Sequence, residues 1–196
     1  MTAHPASGFS LVELLVVAAV VAAAAAAGLP IAAHAADAAD AAGAARHLAS
    51  LIARARVEAA RRQRVVALRV EQLEGDTRVS LVADGDGDGV TAADVAAGTD
   101  VSLRPPETIG AHFVRARLGI AGGVRGLDGE PLTSLDDPVR LGAADQLSVG
   151  PLGTSTSGTI YVASRGGVQY AVRIAGVTGR VRVLRYVLGA GLWRPE

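Results

Sequence analysis

The chain has 196 residues, with 19 arginines balancing 19 acidic residues, no lysine and no cysteine. Zero net charge singles out no charged partner, and without cysteine neither a disulfide framework nor a thiolate metal site can form. Apolar residues make up 50% of the chain, but 40 residues are alanine, 25 of them before residue 61, so after an N-terminal helix there is material for one soluble domain and not two.

The first element is the most informative. Residues 9–29 form an apolar run in which only Ser10 and Glu13 are polar. At ~1.5 Å rise per residue, about 20 such residues span a bilayer core. A carboxylate inside that span costs ~2.5–3.5 kcal/mol on the mildest insertion scale, so Glu13 demands a partner. The order Gly8, Phe9, then Glu13 at the fifth place counted from Phe9, then an aliphatic helix, resembles the class III signal of type IV pilins and pseudopilins. The resemblance implies cleavage by a prepilin peptidase between Gly8 and Phe9, methylation of the new amine, and pairing of Glu13 with the N-terminal amine of a neighbouring subunit, whose opposite charge offsets the burial cost.

Two other readings stay open. An ordinary signal peptide would use the small-residue site Ala33-His34-Ala35 and release a secreted β-domain starting at Ala36, but no Arg or Lys precedes the apolar run and Glu13 sits in its first third. A plain membrane anchor accounts for the length and leaves the Gly8-Phe9 to Glu13 spacing unexplained.

Beyond the run, Leu48, Leu51, Ile52 and Ala55 fall at i, i+3, i+4 and i+7, so helix is expected to about Gln63, with the apolar stripe laid on the following domain. Gly28 and Pro30 predict a break or kink, because proline removes a backbone donor and clashes with the preceding turn; a helix end followed by a flexible linker is the alternative. The expected division is a leader over 1–8, a transmembrane half over 9–29, an amphipathic half over 30–63 and a β-rich periplasmic domain over 64–196.

From Arg64 the period becomes two. Val66, Leu68 and Val70 alternate with Ala67 and Arg69, Tyr170, Val172 and Ile174 with Ala171 and Arg173, and Val181 and Val183 with Arg180 and Arg182, as in half-buried strands. Separators rich in Gly, Pro and Asp punctuate seven to nine short strands. The expected fold class is α+β, a long N-terminal helix on a mainly antiparallel β-domain. With the loop Asp84 to Val90, the stretch Leu147 to Gly153 and the strand opening Gly179-Arg180-Val181-Arg182, the whole order is similar to the GspH/FimT group of minor pseudopilins and pilins. That resemblance implies a non-enzymatic subunit of a type II secretion system or type IV pilus, single-pass in the bacterial inner membrane, with other pilin-like subunits as partners.

Three further constellations bear on ligands. Asp84, Asp86 and Asp88 take the first, third and fifth places of a calcium-loop pattern with Gly89 at the sixth, but Val95 stands where a bidentate Glu belongs, so Asp94 or Asp100 would have to complete the shell. A solvated Asp/Gly turn is the reading preferred over calcium, and no cofactor is expected. Residues 165–196 hold six arginines and one acid, Glu196; some members of the resembled group bind DNA through a Gly-Arg-x-Arg segment, which implies a possible DNA site at Arg180 and Arg182. Alternation with Val181 and Val183 equally describes the solvent face of a strand. The histidines at 4, 34, 47 and 112 are too scattered to compose a metal site or a general base, and no Gly-x-Ser-x-Gly elbow surrounds Ser155 or Ser157. No catalytic or metal residue is therefore assigned.

Overall fold

The computed structural model describes residues 9–132, 134–142 and 145–196. The expected α+β architecture is present: a long N-terminal helix, α1 (Leu11–Arg62), is followed by two antiparallel sheets. The chain divides after Ala36 into two compact units.

Helix α1 runs through Gly28 and Pro30 without interruption, which overturns the expected break and the linker alternative. Its flanks, alanine at 22–27 and at 32–33, are the strongest helix formers available and carry the helix past the donor that Pro30 lacks. The helix ends one residue earlier than expected. Gln63 adopts φ 55° and Arg64 N–H donates to the Ala59 carbonyl at 3.3 Å, the six-to-one bond of a Schellman cap made without glycine. Gln63 adds its own support by donating from Nε2 to the Ala60 carbonyl at 2.7 Å.

In the second unit, β1 (Val66–Leu73) and β2 (Asp76–Ala83) form a hairpin, followed by α2 (Ala92–Ala97), β3 (Val101–Ser102), β4 (Glu107–Thr108), α3 (Ile109–His112) and β5 (Ala116–Leu118). Then come β6 (Val139–Arg140), β7 (Gln146–Val149), β8 (Gly158–Ser164), β9 (Gln169–Ala175), β10 (Arg180–Val187) and β11 (Leu192–Pro195). The described residues thus hold eleven strands instead of seven to nine, three of them only two residues long. One sheet has the order β3-β2-β1-β7 with β4 also on β2; the other has β11-β10-β9-β8-β5 with β6 also on β8.

The core follows from the two periodicities. On α1 the buried stripe is Ala41, Ala44, Ala45, Leu48, Leu51, Ile52, Ala55 and Ala59, the helical spacing read from the sequence. It meets alternate residues of both sheets. Leu68 on β1 lies opposite Leu81 on one side and Leu147 on the other, and Val172 on β9 lies between Ile160 and Val183. The strands are nevertheless more than half-buried. Ala67 and Val82 are covered on the opposite face by Val90 and Val95, and Tyr161 and Ala171 by Ile120, Val124, Tyr186 and Trp193. Each sheet carries a small second core because a long connection folds back over it, an arrangement that strand periodicity alone does not encode.

Candidate functional site

Glu13 and its surroundings come first. Among the described residues from Phe9 to Ala36, Glu13 is the single Asp, Glu, Arg or Lys. Helix α1 includes a segment of mean hydropathy 2.5, none of it buried, long and apolar enough to cross a membrane. Glu13 occupies the third helical position. Its Oε2 accepts from Ser10 N–H at 3.0 Å, and its own N–H donates to Ser10 Oγ at 3.2 Å. This is a reciprocal capping box that satisfies two of the four backbone donors left over at a helix start. The signal for it is the Ser-x-x-Glu spacing of Ser10 and Glu13, which membrane cost alone does not bring out. Gly8 lies outside the described residues; Phe9 is exposed immediately before the cap.

The aspartate loop is built differently from a calcium loop. Asp84, Asp86 and Asp88 do bring carboxylate oxygens within 4.8 Å of one another. Asp84 is buried, however, and both its oxygens accept from backbone, Oδ1 from Gly87 N–H at 2.7 Å and Oδ2 from Gly89 N–H at 3.2 Å. Asp100, also buried, accepts from Gly85 N–H and Thr91 N–H, both at 3.0 Å. Thr91 caps α2 by accepting from Asp94 N–H at 3.1 Å, and its hydroxyl donates to the Asp94 carboxylate. The two candidates for completing a shell are thus engaged elsewhere, and the loop closes on its own carboxylates. Asp86 and Asp88 are exposed, and a hydrogen bond shared with the Asp86 carboxylate, followed by that group's negative charge, raises Asp88 above the usual aspartate value.

Arg180 and Arg182 point from β10 to solvent, as does Arg173 on β9, directly opposite Arg182. Gly179 is demanded by the backbone itself, since its φ is 59° and a Cβ there would come within 2.5 Å of the Gly153 carbonyl oxygen. The same turn is held by α1, where Arg56 donates from Nη1 to the Gly179 carbonyl at 2.9 Å. The two glycine motifs, at 150–153 and at 179–182, therefore meet at one helix arginine that no local pattern marks.

Two histidines expected to be scattered come together. His47 Nε2 lies 3.1 Å from Glu107 Oε1 and His112 Nε2 lies 3.8 Å from Glu107 Oε2, beside Phe113. Helix α3 follows β4 without a gap and turns His112 back toward α1, so the long stretch of chain between the two rings conceals the pair in the sequence. His112 is largely exposed, and the nitrogens of the two rings are not gathered with Glu107 closely enough to hold an ion as they stand.

Comparison with known proteins bears on the N-terminus. The chain matches the prokaryotic N-terminal methylation motif over residues 4–29, which supports a type IV pilin-like protein with a membrane anchor. No curated protein and no solved structure matches the chain significantly.

Proposed function

We propose that the chain is a minor subunit of a type II secretion pseudopilus or a type IV pilus, of the GspH/FimT kind, acting in filament assembly or at the tip. The observation that carries this reading is the methylation motif at residues 4–29 opening an uninterrupted helix whose apolar segment contains one charge, Glu13.

In this reading a prepilin peptidase removes residues 1–8 at the cytoplasmic face and the amine of Phe9 is methylated. Residues 9–29 hold the subunit in the inner membrane with the domain from residue 64 in the periplasm, and residues 30–63 continue the helix into that domain. The work is mechanical. Lateral helix packing brings Glu13 to the amine of an adjacent subunit, where low dielectric strengthens their attraction and sets axial register. Other pilin-like subunits are the partners.

Intact-mass measurement and N-terminal sequencing of the membrane-extracted protein test it. A start at methylated Phe9, with crosslinks from residues 9–29 to other pilin-like chains, is the expected result. A start at Ala36 would mean an ordinary signal peptide and would refute the filament role.

A further inference from the structure

A row of four polar side chains crosses the outer face of the second sheet at one level. Arg182 on β10 is paired in register with Arg173 on β9, Arg173 with Thr159 on β8, and Thr159 with Arg140 on β6. At about 4.8 Å between strands, this sets three guanidinium groups across four neighbouring strands. Arg173 and Arg182 form no ion pair among the described residues, and like charges directly opposite on a sheet destabilise it. Such a row asks for an anion.

The row also lines a cavity. Arg140, Arg173, Arg182 and Thr159 face an open cleft of about 530 Å³ that Leu127, Asp128, Leu132, Tyr161 and Leu184 also line. That volume falls in the range of small-molecule sites. Two of the donors are positioned in advance. Arg173 Nη1 donates to Thr159 Oγ1 at 3.0 Å, and Arg140 is pinned by the carbonyls of Ser134 and Asp137 while its guanidinium lies 5.6 Å from the centroid of the Tyr161 ring. The remaining N–H groups of Arg173 and Arg182 form the forked donors that suit a phosphate oxygen pair. Asp128 lines the same cavity and adds one acceptor.

We infer that this cleft binds a small organic phosphate monoester bearing hydroxyl groups, the phosphate held by Arg173 and Arg182 and a hydroxyl received by Asp128. A bridging dianion offsets the repulsion between the paired arginines. Asp128 and the backbone from Gly126 suit a compact ligand and work against a continuous polyanion such as duplex DNA. Every residue of the cleft belongs to the β-domain, so ligand binding there does not depend on the filament reading.

The test is calorimetric titration of the full chain in neutral detergent at low salt with a hexose 6-phosphate, the unphosphorylated hexose, and a 20-base-pair duplex. Saturable binding of the phosphate ester in the millimolar range or tighter is expected, with none for the free sugar. The double variant Arg173→Gln/Arg182→Gln should weaken it about tenfold or more while its thermal midpoint holds or rises, and Asp128→Asn should weaken the sugar phosphate more than inorganic phosphate. No saturable ester binding would overturn the inference. So would binding that the double variant retains, or duplex binding that the ester does not displace.

Discussion

Ser10 and Glu13 cap each other, Ser10 N–H donating to Glu13 Oε2 at 3.0 Å and Glu13 N–H donating to Ser10 Oγ at 3.2 Å. The carboxylate proposed to pair with a neighbouring subunit therefore already has a local duty, and the two duties can be separated. Glutamine keeps the capping geometry and loses the charge. Glu13→Gln and Glu13→Ala are expected to insert into the membrane at least as well as the native chain, because the charge is what insertion opposes. Both should fail to co-sediment with sheared filaments. Ser10→Ala should cost the helix start ~1 kcal/mol and leave incorporation in place. Normal incorporation of Glu13→Gln would show that the cap, and not the charge, is what the position requires.

Arg56 should behave as a clasp between α1 and the turn before β10. Replacing Arg56 by Met keeps the apolar stem and removes a charge-assisted bond worth ~1.5–3 kcal/mol when buried and less at this partly exposed site. Gly179→Ala should cost more, about 2–4 kcal/mol, since it combines positive-φ strain with a Cβ placed 2.5 Å from a carbonyl oxygen. Urea denaturation of both variants measures this. An Arg180→Ala variant provides the control, expected within about 0.5 kcal/mol of the native chain.

Gly43 on α1 makes room for Phe113, whose ring carbon Cε1 would lie 2.6 Å from a Cβ at that position. Alanine would improve helix propensity by ~1 kcal/mol, but the clash with a ring packed against the core should cost ~1–3 kcal/mol. The expected outcome is a net loss in Gly43→Ala that Phe113→Leu partly restores in the double variant. A more stable Gly43→Ala would show that Phe113 can move aside.

The features legible in the sequence are those written into local periodicity. The stripe Leu48, Leu51, Ile52 and Ala55 is buried, and Leu68, Val172 and Ile174 sit in the core where alternation placed them. The features that were not legible depend on long-range return of the chain. Ala67 and Ala171 are buried because the connections carrying Val90 and Ile120 fold over the outer faces. The arginine row from Arg182 to Arg140 exists only in strand register, and Arg56 has a partner 123 residues away. Pro30 departs in the opposite direction: the helix end that a local rule allows there does not occur, and α1 continues through alanine before and after it.

The aspartate loop yields a prediction with a definite sign. Asp86 beside Asp88 raises the Asp88 pKa above its reference value of 3.8. A group whose folded pKa is raised contributes stability that is complete below the unfolded value and is lost as pH rises through the folded one. At neutral pH the loop therefore bears an unrelieved repulsion between two exposed carboxylates. Asp88→Asn should raise the thermal midpoint slightly at pH 7, and the advantage over the native chain should shrink as the pH falls and vanish below 3.8, where Asp88 is protonated in both the folded and the unfolded chain. Asp84→Asn should act oppositely, because it weakens the carboxylate that receives the Gly87 and Gly89 N–H groups in a buried position. Removing divalent cations with EDTA should leave the midpoint of the native chain where it is. A fall of several degrees on chelation, reversed by calcium and absent in Asp88→Asn, would make the loop a cation site after all.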